Sequence, residues 1–281
     1  MIIYINFKND TRILIYNLNG YLKGYMMSWL GKMIGGTIGF ALGGPLGAIA
    51  GAAFGHTFVD KKEAIYLSSR PGAQYTTLSS NEQAQLVFFT AAFSMLAKIS
   101  KADGRITDNE IHVVEKFMKH DLGLDTEGQQ TAINIFRQAV NSAEPFEAFA
   151  TQFYSVFNTQ PHIIDLMMDI LLRVSASDGK TSTEEERMLL SAVRIFNYSN
   201  SDYTRLKSKY VKQSNPYYAV LKCDETASNE EIKKQYRKLV TEFHPDKIQA
   251  KGLPEEFIKF ANDKFREIQE AYDMIRKERG F

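Results

Sequence analysis

Histidine and aspartate are the side chains most often used to move protons, and this chain sets them on either side of a proline at His244-Pro245-Asp246. Acid–base or metal chemistry needs further groups: a nucleophile, an acidic partner, or a set of ligands at the right spacing. No such pattern accompanies His244, no zinc-like or dinucleotide-binding spacing occurs, and Cys223 is the only cysteine. Catalysis at the triplet is rejected on those grounds. The remaining chemistry is recognition, because a proline cannot continue a helix and the tight connection around it has no core to serve.

A second set of chemistry-bearing residues is duplicated. Leu96 to Glu110 parallels Leu171 to Glu185 at an offset of 75 residues, which aligns Asp103, Gly104 and Glu110 with Asp178, Gly179 and Glu185. The spacing lacks the alternating oxygen ligands and bidentate closing glutamate of an EF-hand. Asp-Gly suits a turn, and glutamate suits the first turn of a helix. A structural role is expected, with no metal and no cofactor.

The triplet must be positioned by what flanks it. Ser228 and Glu231 have the spacing of a capping box, the start of a helix. Ile232, Tyr236, Leu239, Val240 and Phe243 then form one apolar face, while Lys233, Lys234, Arg237 and Lys238 gather on the other. Downstream, Phe257, Ala261, Phe265, Ile268, Ala271, Tyr272 and Ile275 make a second stripe. Two stripes joined by a short connection predict an antiparallel helical hairpin with the triplet at its tip. Asn215 to Leu221 predicts a short helix across the pair. Residues 215–281 hold thirteen Lys/Arg and thirteen Asp/Glu, so the four cations are a local patch on a neutral segment, able to steer an acidic partner.

This ordered set resembles the J domain of the DnaJ co-chaperone family. The resemblance is carried by the short aromatic helix, the Tyr236–Leu239 run, His244-Pro245-Asp246-Lys247 and the Phe265–Tyr272 run. Ile248 and the longer connection from Gln249 to Pro254 depart from many members and look like the membrane-anchored DjlA type. The resemblance implies a DnaK-type chaperone as partner. His244, Pro245 and Asp246 would trigger its ATP hydrolysis, and Lys233, Lys234, Arg237 and Lys238 would be the docking face. It also implies a regulator of another protein's ATPase rather than an enzyme.

Met33 to Val59 is 27 residues without a formal charge, long enough to cross a bilayer as a helix. Gly35, Gly39, Gly43, Gly47, Gly51 and Gly55 recur every fourth residue, a stripe that lets a second helix approach closely in lipid and predicts a homodimer. Gly43-Gly44-Pro45 either kinks one span or turns the segment into a hairpin; a single span is expected. The flanking positive charges are nearly even and do not set orientation. A DnaK-type partner implies that residues 60–281 face the cytoplasm of a bacterial inner membrane. Met26 or Met27 is expected as the natural start, with residues 1–26 an extension.

Residues 81–200 predict helices throughout. Leu86, Phe89, Ala92, Phe93, Leu96 and Ile99 form one stripe, and Phe146, Phe149, Phe153 and Phe157 form a second, expected to be core. Thr107 with Glu110 has capping-box spacing, and Pro161 suits a first helical position. The duplicated unit resembles the TerB-like domain of tellurite-resistance proteins. The expectation is an all-α chain: an N-terminal transmembrane helix within 27–60, a linker at 61–80, a central TerB-like helical bundle at 81–200, a basic linker at 201–214 and a C-terminal J-domain helical hairpin at 215–281. Net charge of +1 excludes a general attraction to nucleic acid. The rival class is a TerB-type stress or metal-response scaffold with the J-like tail as a tether.

Overall fold

A computed structural model describes residues 42–58, 79–104, 106, 108–176, 181–210, 215–249 and 253–281. All regular structure among them is helical: α1 (Gly44–Phe58), α2 (Ser80–Ser100), α3 (Asp108–Lys116), α4 (Thr126–Asn141), α5 (Phe146–Phe157), α6 (Pro161–Ser175), α7 (Thr183–Ile195), α8 (Asn200–Ser208), α9 (Pro216–Val220), α10 (Asn229–Glu242), α11 (Pro245–Gln249) and α12 (Glu255–Arg279). A π-helical turn, Phe117–Asp121, extends α3.

Two helices run through the middle of the bundle. From Leu86 to Ala97 every residue of α2 is buried, and so is every residue of α6 from His162 to Leu172. A helix apolar on all sides belongs inside, so the single stripe expected on α2 understates it. Helices α4, α5 and α6 pack against α2, and Phe146, Phe149, Phe153 and Phe157 are core as expected. Caps fix where the helices begin. Ser79 and Glu82 close a capping box at α2, and Ser182 and Glu185 close one at α7. Glu185, one of the duplicated acids, is thus a cap, while Asp178 and Gly179 lie outside the described residues. Thr107 lies outside them too. Pro161 stands in the first turn of α6.

Helix α1 departs from a single unbroken span. Gly43 and Gly44 take φ of +57° and +59°, left-handed backbone that breaks the helix before Pro45. Leu46, Ile49, Ala50 and Ala53 bury against α2, α4 and α5 of the bundle. Gln152 on α5 holds the break: its Oε1 accepts from the Leu46 N–H at 2.8 Å, and its Nε2 donates to the Gly43 carbonyl at 3.0 Å. A Cβ on Gly44 would stand 2.9 Å from that Oε1 and push the Gln152 amide aside, on backbone that its positive φ already makes strained for any other residue. Fifteen residues extend about 22 Å, short of the roughly 30 Å of a bilayer core. Among the described residues no helix is long and apolar enough to cross a membrane. Of the glycine stripe, Gly47 is buried and Gly51 partly exposed, Gly55 lies within α1, and Gly35 and Gly39 lie outside the described residues.

The stretch expected as a basic linker forms α8, capped by Ser199 and held by buried Tyr203 and Leu206. Charge alone hid that apolar pair. It leads to the C-terminal module, where α10 and α12 form the expected hairpin and α9 packs across α12. Tyr236 and Tyr272 stack at 3.9 Å between the two long helices. Arg279 closes the far end: its Nε donates to the Tyr218 hydroxyl at 2.7 Å, and its Nη1 donates to the Ala227 carbonyl at 2.6 Å. Nη2 reaches the Glu225 carbonyl. Arg279→Ala is expected to cost about 2 kcal/mol in urea unfolding. Arg279→Lys should recover less than half of that, because an ammonium cannot supply the planar fork.

The module is seated on the bundle by the first half of α12. The Phe257 ring enters the bundle core at 4.7 Å from Phe88, 6.0 Å from Phe89 and 6.4 Å from Phe93. One turn on, Phe260 meets Phe117 edge-on at 5.8 Å and lies under the Arg173 guanidinium. A second turn brings buried Lys264 to 2.7 Å from Asp169 and 3.5 Å from Asp165, both on α6. Lys222 pairs with Asp165, and Lys209 bridges Asp169 at 3.7 Å and Glu267 at 2.7 Å. The Tyr198 and Tyr210 hydroxyls donate to Asp165 and Asp169. Burial alone would raise both carboxyls. Lys222 and Lys264 beside Asp165, and Lys209 and Lys264 beside Asp169, overcome it and hold both below the ordinary carboxylate range.

Candidate functional site: the hairpin tip

Helix α10 begins as the sequence predicts. The Ser228 hydroxyl oxygen accepts from the Glu231 N–H, and the Glu231 carboxylate accepts from the Ser228 N–H at 2.8 Å. It ends at Glu242, with Phe243 as cap. Phe243 is buried, and the Lys264 ammonium lies 5.5 Å from its ring. Pro245 does more than stop α10: it opens α11, the position where its missing N–H is harmless. The His244 carbonyl accepts from the N–H groups of Lys247 and Ile248. Ile248, the departure noted in the sequence, is fully buried. The corner is therefore pinned on both sides, by Phe243 before it and Ile248 after it.

Between those pins the polar groups face out. The Asp246 side chain is 89% exposed and that of His244 49%. The His244 ring meets Phe265 edge-on at 6.0 Å, which fixes its plane. Its Nδ1 accepts from the Asp246 N–H at 3.3 Å. The same Nδ1 stands 3.6 Å from the Asp246 carboxylate. Beside the corner an open groove runs between Pro245 and the α12 residues Ile258, Asn262 and Phe265.

The basic face is divided. Lys234, Arg237 and Lys238 are exposed along α10. Lys233 is partly covered: it pairs with Glu230 at 3.2 Å, and its ammonium sits 5.0 Å from the Phe281 ring. Three of the four cations are thus free to meet an acidic surface, and Lys238 stands six residues before His244, about 9 Å along the axis. The arrangement offers an imidazole-and-carboxylate corner beside a cationic ridge, a surface suited to binding another protein. Among the described residues no cluster of three His, Cys, Asp or Glu side chains has the makings of a metal site.

Sequence reasoning missed the supports beneath this surface. Lys264 falls on the apolar stripe between Ala261 and Ile268, and Asp165 and Asp169 interrupt the apolar helix α6 one turn apart. Charged residues at core positions are the signal, since they are almost never fully buried unless paired.

A family model for the DnaJ domain matches residues 216–279, one for tellurite resistance protein TerB matches 89–208, and one for the co-chaperone DjlA transmembrane domain matches 27–74. Co-chaperone protein DjlA of Photobacterium profundum is 30% identical over 254 residues, 81% of this chain and 90% of that protein. The protein of the same name in Coxiella burnetii is 29% identical over 226 residues, 73% of this chain and 83% of its own. No solved structure gives a significant match. The chain therefore belongs to the DjlA family of membrane co-chaperones, with a TerB domain between its membrane segment and a C-terminal J domain.

Proposed function

We propose that this chain recruits a DnaK-type chaperone to the bacterial inner membrane and stimulates its ATP hydrolysis, without being an enzyme itself. The observation that carries the reading is the corner. His244 and Asp246 are presented to solvent while their neighbours Phe243 and Ile248 are fully buried. A mere tether needs neither the pinned corner nor the exposed cations of α10. Residues 60–281 face the cytoplasm in this reading, where ATP and the partner are found. The glycine stripe pairs two copies in the bilayer. In that role α1 has to leave the bundle, because Leu46, Ile49, Ala50 and Ala53 pack against it and Gly47 of the stripe is buried there.

The test is a single-turnover ATPase assay with the full chain in lipid nanodiscs and a DnaK-type chaperone. Acceleration is expected, and its absence would end the proposal. Reversing Lys234, Arg237 and Lys238 together to glutamate should raise the half-maximal concentration at least tenfold. The salt dependence of stimulation should flatten as well, because exposed charges act chiefly on encounter.

A further inference from the structure

The J domain grips the bundle through two unlike contacts carried on one helix. Phe257 is buried among three bundle rings. Two turns further on, Lys264 lies between the α6 carboxylates of Asp165 and Asp169. Those carboxylates also take Lys222, just after α9, and Lys209, just after α8, so the domain is held at its entry as well as along α12. Lys222 reaches Asp165 from left-handed backbone, φ +53°, a conformation that persists in a lysine where the surroundings over-determine it. From the clasp the contacts run on to the corner. The Lys264 ammonium lies over Phe243, the residue before His244, and its neighbour Phe265 holds the His244 ring.

We propose that Asp165, Asp169 and Phe257 are positioning residues for the trigger. They clasp the J domain to the bundle and hold His244–Asp246 and the Lys234, Arg237 and Lys238 ridge outward at a fixed angle. The functional half of this inference rests on the reading of the corner as an activator of a DnaK-type ATPase; the structural half does not. A surface already held in place spares its partner the entropy of ordering it, so the clasp acts on affinity. The hydrolysis trigger is untouched by it. The ionic wing supplies orientation where rings alone would tolerate several seatings, the role in which buried charge pairs are best attested.

The test uses the full chain in nanodiscs, spin-labelled at Val156→Cys on α5 and Met274→Cys on α12 in a Cys223→Ser background; both labelled positions are exposed. With the labelled chain diluted into an excess of unlabelled chain, so that only distances within one copy are read, one narrow distance distribution is expected. Asp165→Asn with Asp169→Asn should broaden it at least twofold, and so should Phe257→Ala. In both variants the half-maximal concentration for stimulating DnaK hydrolysis should rise about tenfold with the maximal rate unchanged. A purely structural lesion would instead lower the maximal rate along with the folded fraction. If the double variant loses helicity in circular dichroism, Phe257→Ala alone decides. An unbroadened distribution overturns the clasp, and broadening with no change in half-maximal concentration overturns the positioning role. A wild-type chain that fails to stimulate would refute the proposed function, leaving the distance measurement to judge the clasp.

Discussion

Replacing His244 with glutamine is expected to abolish stimulation of the partner's ATP hydrolysis while the chain melts as before. The two halves of that expectation come from different features of the corner. Stability is spared because the imidazole is half exposed and, among the described residues, its hydrogen bond is the local one from the Asp246 N–H. Surface replacements of this kind usually stay within about 0.5 kcal/mol. Activity is lost because glutamine keeps a donor but loses the ring. The edge-on contact with Phe265 goes with it, and so does the Nδ1 contact with the Asp246 N–H. Loss of one central contact of about 2 kcal/mol corresponds to roughly thirtyfold. A single-turnover assay paired with thermal melting reads both quantities. Stimulation that survives the substitution would remove the corner from the mechanism.

What the sequence made legible was local. The α10 cap, its two faces and the proline corner are set by residues within a few turns of one another, so periodicity and capping rules find them. The burial of Ile248 at the corner could not be read that way, although its apolar character in a polar connection was visible. The seating of the J domain on the bundle was hidden for the same reason. Phe257 reads equally well as part of the hairpin's own stripe, and only tertiary structure sends its ring among Phe88, Phe89 and Phe93. A one-sided stripe can be counted along α2 although the middle of that helix is buried all round. At Gly43 and Gly44 the chain offered both a kinked span and a break. Intrinsic propensity could not choose between them, and a side chain more than a hundred residues away, Gln152, holds the break. Long-range pairings of this sort, Lys264 with Asp169 and Lys222 with Asp165, are the parts that no window of sequence contains.

The carboxylate pair makes the second large prediction, a difference in acid sensitivity between wild type and variant. Asp165 and Asp169 are held below the ordinary value near 3.9 by the lysines around them, against burial that would raise them. A carboxylate with a lowered folded value stabilises the fold above its unfolded value, and that contribution is lost as pH falls through the folded one. The wild-type midpoint should therefore stay flat from pH 7 to about 4 and fall only below that, so far as this pair is concerned. Lys264→Met removes the cation shared by both acids and keeps the apolar stem over Phe243. Lys222 still faces Asp165, and Lys209, with Glu267 beyond it, still faces Asp169; Tyr198 and Tyr210 keep their hydrogen bonds. Breaking one side of a buried pair costs about 3 kcal/mol at neutral pH, a midpoint drop of roughly 8 °C for a chain of this size. Lys222 is the larger influence on Asp165 and Lys209 on Asp169, so without Lys264 the folded values move up towards the unfolded one. With less pH-linked stability to lose, the variant's midpoint should fall less steeply than the wild type's below about pH 4, and the gap between them should narrow there. Differential scanning calorimetry down through that range reads both slopes. A gap that keeps its neutral-pH size in acid would mean that Lys264 does not hold these carboxylates charged.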